Sequence, residues 1–158
     1  MAATSTARTL ATFFGIGRFP KAPGTAASLA AALLVIPLLV IPIPHGVFGW
    51  TLAVAAVLAF AGSVWTARVL FGPRIREEDP GWFVLDEACG MWIAAWRPDG
   101  IAPWSLVFAF AAFRVLDIVK PFPIGKLEGA GDWGIVLDDA AAGAIALGLG
   151  LLLDHFLL

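Results

Sequence analysis

One cysteine, two histidines and a charged content of only 14% are the scarcities of this 158-residue sequence. The single thiol, Cys89, excludes a disulfide framework and a cysteine-clustered metal site within one chain. Ten basic residues against twelve acidic ones leave a net charge of −2, with no basic excess to hold a polyanion, so a nucleic-acid partner is excluded. Disorder goes with it, because the chain is not a hydrophilic, highly charged one. What is present instead is apolar: 60% of the residues, with a mean hydropathy of +0.89. Soluble domains run at about 45–50% apolar and about 25% charged. A single domain of this length has too little interior to hide the surplus. The composition implies a protein whose solvent is the bilayer.

Glycine and proline divide the chain into five apolar stretches. The first covers 26–43 and is interrupted by Pro37 and Pro42; the second covers 47–70 and is long enough for about 30 Å of hydrocarbon. The third, 82–96, contains Asp86 and Glu87. The fourth, 103–119, opens on Pro103, where a missing N–H costs little. The fifth, 134–158, has Asp138 and Asp139 near its start and Asp154 near its end. Ala and Leu dominate and no sustained period-2 alternation occurs, so all five read as helices. The expected fold is all-α: a compact integral-membrane helical bundle of about five main helices, the shorter ones re-entrant or only partly spanning. Residues 1–158 are expected to form one membrane-embedded domain with 1–13 as an N-terminal tail. The first run carries two prolines and follows a long Gly/Pro-containing segment, so it is expected to belong to the mature chain rather than to a removable signal peptide.

If the N-terminus lies in the cytoplasm and each stretch crosses once, Arg8, Arg18, Lys21, Arg68, Arg74, Arg76, Arg114, Lys120 and Lys126 fall inside and only Arg97 outside. Such an imbalance is what the positive-inside rule demands. The same topology puts Asp86 and Glu87, Asp117, and Asp138 and Asp139 at one depth, near the inner interface. A charge in hydrocarbon costs on the order of 2.5–3.5 kcal/mol, so such acids face a bundle interior and serve a function. Packed together they repel unless a cation intervenes. With oxygen donors only, the natural cation is Mg²⁺. Taken singly, an acid at a helix start also reads as a cap that suits the helix dipole; three groups converging on one side do not.

Arg114, Asp117 and Lys120 are spaced by three and share one broad helix face, with Pro121 and Pro123 ending the helix. Cations beside a metal-binding acid suit a phosphate ester, whose oxygens they hold; snorkelling at a helix end accounts for Lys120 alone. The segment from Gly15 to Thr25 brings Lys21, Thr25 and Ser28 to a helix start from the same side, a cradle for an anion. It lacks the P-loop order, and no strand precedes it.

Several of these segments resemble one family: Pro23-Gly24-Thr25 with Ser28-Leu29, then Asp79-Pro80, then Leu85 to Gly90, then the run Phe113 to Pro123, then Gly134 to Gly143. In this order they are similar to phosphatidylglycerophosphatase A, over about residues 14–143. Ala27, where the family more often has glycine, and Asp132, before Trp133, are mild departures. The resemblance implies Mg²⁺-dependent removal of the terminal phosphate of phosphatidylglycerophosphate, a phospholipid substrate, in the bacterial inner membrane with the site facing the cytoplasm. On that basis Asp79, Asp86, Glu87, Asp138 and Asp139 are the expected metal ligands. Asp86, Glu87, Asp117, Asp138, Asp139 and Lys120 are the expected catalytic residues. Lys21, Thr25, Ser28, Arg114 and Lys120 are expected to bind the substrate phosphate. The nucleophile is either an activated water or an aspartate that is transiently phosphorylated. Another lipid-phosphate phosphatase, or a small proton- or cation-translocating protein, are the rival readings; the latter needs polar groups at several depths.

Overall fold

Prolines set several of the helix boundaries. The computed structural model describes residues 2–44, 46–72, 80–122, 124–127 and 133–157. Helix α1 (Ala2–Ala11) leads through a 3-10 turn (Ile16–Arg18) to α2 (Pro23–Leu33), which begins on Pro23. A short α3 (Ile36–Val40) carries Pro37 in its first turn and ends at Ile41, extended at φ −85° and ψ 129°, as a residue before proline prefers. Then come α4 (Val47–Phe71), α5 (Leu85–Ala94), α6 (Pro103–Val119, opening on Pro103), α7 (Ile124–Leu127) and α8 (Gly134–Leu157). Among the described residues there is no strand, and the all-α bundle expected from the sequence is what forms.

Among the described residues three segments are long and apolar enough to cross a bilayer: Pro23–Val40, Val47–Phe71 and Gly134–Leu157. Helix α6, with 17 residues, falls just short of that length. Their outward faces carry exposed Val54, Val57, Leu58, Val107, Leu149 and Leu152, as suits hydrocarbon contact. Two features refine the reading of the sequence. Residues 1–13 include a helix rather than only a tail: α1 packs on α4, with Ala7 and Ala11 fully buried. The third apolar stretch yields only ten helical residues, about 15 Å of helix. Helix α5 is therefore too short to span; it is the central post of the bundle.

Around α5 pack α8, α4, α2 and α6. Its Leu85, Ala88, Cys89, Gly90, Met91 and Ala94 are buried, so it is apolar nearly all round for the same reason as any core helix. Small residues let backbones close up: a Cβ on Gly143 would collide with the Gly90 carbonyl oxygen.

The far end of α5 is tied by polar groups. Trp96 Nε1 donates to the Gly49 carbonyl at 3.0 Å. Arg97 Nε donates to Asp154 Oδ2 at 2.6 Å and its Nη2 to Ser105 Oγ at 3.3 Å, joining the ends of α5, α6 and α8. Gly150 has no side chain where that guanidinium lies. This end of the bundle is thus not purely apolar, but Arg97 and Asp154 are paired with each other.

Candidate active site

Asp86 and Glu87 occupy the first turn of α5, where free backbone N–H groups and the helix dipole favour negative charge. Asp86 Oδ1 accepts a hydrogen bond from the Glu87 N–H at 3.0 Å. Asp139, in the second turn of α8, completes a trio: one carboxylate oxygen from each of Asp86, Glu87 and Asp139 lies within 4.8 Å of the others. Asp86 and Asp139 are each 5% exposed. Asp117, from the last turns of α6, borders the trio beside Asp139 and Glu87. Arg114, one turn earlier on α6, donates to Asp117 Oδ2 at 2.5 Å and to Ser28 Oγ at 3.3 Å.

Helix α2 closes the site with its N-terminal turn. Ser28 is fully buried and passes its own hydrogen to the Gly24 carbonyl at 2.8 Å. Gly24 lies so close to Glu87 that a Cβ there would overlap Oε1. Ala22, just before α2, and Lys120, at the C-terminus of α6, both hold left-handed φ angles of 49° and 44°. Such strain in non-glycine residues collects where a site has fixed the backbone.

The electrostatics ask for a cation. Glu87 lies outside the three span-length helices, and its carboxyl is pushed from 4.5 up to about 7, first by burial; the Asp117 charge adds to the rise, while the Asp86 hydrogen bond and Arg114 oppose it. Glu87 Oε2, Asp138 Oδ1 and Arg114 Nε are buried with no hydrogen-bond partner among the described residues. An unpartnered acceptor on Glu87 and an unpartnered donor on Arg114 fit a cation and an anion together. The trio of hard oxygen donors can hold a metal ion.

Not every expected residue joins the trio. Asp138 is absent from it: its Oδ2 accepts from Lys120 Nζ at 2.6 Å instead. Successive helix residues point in different directions, so only Asp139 of that pair can face Asp86. Lys120 therefore engages a carboxylate. Ser28 sits beneath Arg114 and orients it. Thr25 is half-buried in the first turn of α2, and Lys21 is exposed just before it. Asp79, His45 and Asp132 lie outside the described residues. Gly24 was missed as a functional residue, although a glycine in the first turn of a helix is a sequence signal for close approach.

Similarity to known proteins names a family. The family model for phosphatidylglycerophosphatase A matches residues 9–154. The chain belongs to the phosphatidylglycerophosphatase A family. An Escherichia coli K12 phosphatidylglycerophosphatase A is 32% identical to it, over 92% of this chain and 82% of the relative. One from Haemophilus influenzae is 31% identical over 94% and 89%. A Bacteroides thetaiotaomicron relative, provisionally described as a phosphatidylinositol-3-phosphatase, is 39% identical over 85% and 84%. No solved structure matches the chain. In this member of the family the acidic trio, Asp117 and Arg114 come from α5, α6 and α8, the helices that form the core.

Proposed function

We propose that the protein hydrolyses the terminal phosphate of phosphatidylglycerophosphate to phosphatidylglycerol and inorganic phosphate. The reaction takes place at the cytoplasmic face of a bacterial inner membrane, with Mg²⁺ held by Asp86, Glu87 and Asp139. The observation that carries this reading is the meeting of two buried carboxylates and a half-buried one with the Arg114 guanidinium in a membrane-spanning member of the family. The orientation is supported by the distribution of basic residues, with Arg97 alone assigned to the outer side.

Mg²⁺ bound at the trio supplies Lewis-acid polarisation of the ester and neutralises its charge. Arg114 is the residue that grips the phosphate: Asp117 and Ser28 hold one of its nitrogens, which leaves Nε for a phosphate oxygen. Asp117 borders the trio and is placed to take the proton of the attacking water. Asp138 holds Lys120 at the same end of the bundle, where its ammonium balances the surplus acidity and offsets charge as the ester bond breaks. The acyl chains stay in the bilayer while the headgroup reaches the acids.

Phosphate release from detergent-solubilised protein tests this. Phosphatidylglycerophosphate should be hydrolysed with Mg²⁺ and not without it, and Asp139→Asn should lose at least about 100-fold in turnover while inserting normally. Undiminished turnover in that variant would remove Asp139 from the site. The relative at 39% identity favours a second headgroup, so phosphatidylinositol 3-phosphate belongs in the same assay. Faster release from it would replace the glycerol headgroup with inositol and leave the site chemistry unchanged.

A further inference from the structure

Two basic residues near the site take no part in it. Arg8, on α1, and Arg18, in the 3-10 turn, are exposed and line a cavity of about 500 Å³ together with Thr12, Gly17 and Trp82. Among the described residues neither guanidinium has a carboxylate partner; Arg8 lies over the Trp82 ring, 5.2 Å from its centroid. Elsewhere in the described structure Arg97, Arg114 and Lys120 each hold an acid. Two cations left facing one hollow suit an anion, and guanidinium is the group that matches phosphate oxygens in pairs.

Both walls of the cavity lead to the acidic trio. Trp82 comes four residues before Asp86, which limits their Cα separation to about 14 Å. Gly17 packs on the Trp82 carbonyl too closely for a Cβ, and the chain from Arg18 runs on into α2, whose Gly24 touches Glu87. Phe14 and Phe19, close in sequence to the lining residues Thr12 and Arg18, are exposed. Aromatic rings without protein cover, beside cations, mark the headgroup level of a bilayer.

We infer that the Arg8–Arg18–Trp82 cavity holds the phosphodiester of the same lipid whose terminal phosphate monoester lies at the acidic trio. The assignment presupposes the phosphatase activity proposed above and adds a reason for its selectivity. A lipid with a phosphodiester between diacylglycerol and a phosphorylated headgroup fills both places. Phosphatidic acid, with a single phosphate, fills one. Glycerol and inositol headgroups share this two-phosphate pattern, so the cavity reads the class rather than the sugar or polyol.

The full-length protein in neutral detergent allows a test that separates this site from the activity. Thermal unfolding is followed with added phosphatidylglycerol, diacylglycerol or inorganic phosphate. Phosphatidylglycerol should raise the Tm of the wild type and diacylglycerol should not; Arg8→Gln/Arg18→Gln should lose most of that rise, and Arg8→Lys/Arg18→Lys should keep part of it. In the turnover assay the Gln double variant should raise KM for phosphatidylglycerophosphate by about tenfold, with the change in KM and not in kcat. Full protection by phosphatidylglycerol in the Gln variant, or an unmoved KM, overturns the inference. Equal protection by inorganic phosphate overturns the lipid assignment. Arginine-dependent protection without turnover of any lipid would instead sink the proposed reaction and leave the phosphodiester site standing.

Discussion

Glu87 is the residue on which the site's need for a cation is most visible. Its folded carboxyl, pushed up to about 7, binds a proton more tightly than in the unfolded chain, where 4.5 applies. The resulting stabilisation is complete below about 4.5 and is lost as pH rises through about 7. Metal-free protein should therefore lose thermal stability between pH 5.5 and 8, and Glu87→Gln should lose less over the same interval. Mg²⁺ should raise the Tm more at pH 8 than at pH 5.5, because a proton and the ion compete for the same oxygens. A Mg²⁺ effect larger at the lower pH would contradict the assignment. At this scale the sequence was informative about residue type: acids inside apolar stretches announce themselves by their cost. It was silent about which neighbour of the Asp138–Asp139 pair turns inward, since that depends on where α8 is rotated against α5.

Among the elements, α5 is one of the short helices expected to span only partly. Of its fifteen-residue apolar stretch only Leu85–Ala94 are helical, and the helix is enclosed by its neighbours. Length alone could have argued this, because ten residues reach only half of a bilayer. Its glycine is a packing requirement. A Cβ on Gly90 would stand 2.5 Å from Phe113 Cε2 and 2.6 Å from the Asp139 carbonyl oxygen, both rigid neighbours. Gly90→Ala should cost about 1–3 kcal/mol through overpacking, lower the Tm and reduce turnover by moving Asp139. Gly148→Ala, where nothing lies within 4 Å, should do neither. Thermal unfolding and phosphate release measured on both variants check the pair.

For the whole molecule, two polar centres lie at opposite ends of α5 with apolar packing between them. The trio is at one end; Arg97 with Asp154 is at the other, at side-chain exposures of 5% and 17%. Asp154→Ala leaves Arg97 buried without its partner, at a cost of about 3–5 kcal/mol. The Tm should fall while phosphate release measured well below it stays near the wild-type rate. Loss of catalysis in a still-folded Asp154→Ala protein would show that the two ends are coupled. The arrangement also weighs against a translocation pathway: Met91, Ala94, Ala142 and Ala146 fill the level between the centres and are buried.

Periodicity, proline positions and the scarcity of charge were enough to determine a helical membrane protein and the limits of its long helices, because those follow from local backbone chemistry and from the solvent. The motifs were enough for the family. Only the tertiary structure decided which acids meet, that Lys120 holds Asp138, that Ser28 supports Arg114, and that Gly24 makes room for Glu87. Those facts depend on the rotation and approach of α2, α5, α6 and α8, set by small-residue contacts such as Gly90 on Gly143. A rotation of one residue about a helix axis changes every such partner and leaves the hydrophobic pattern almost untouched.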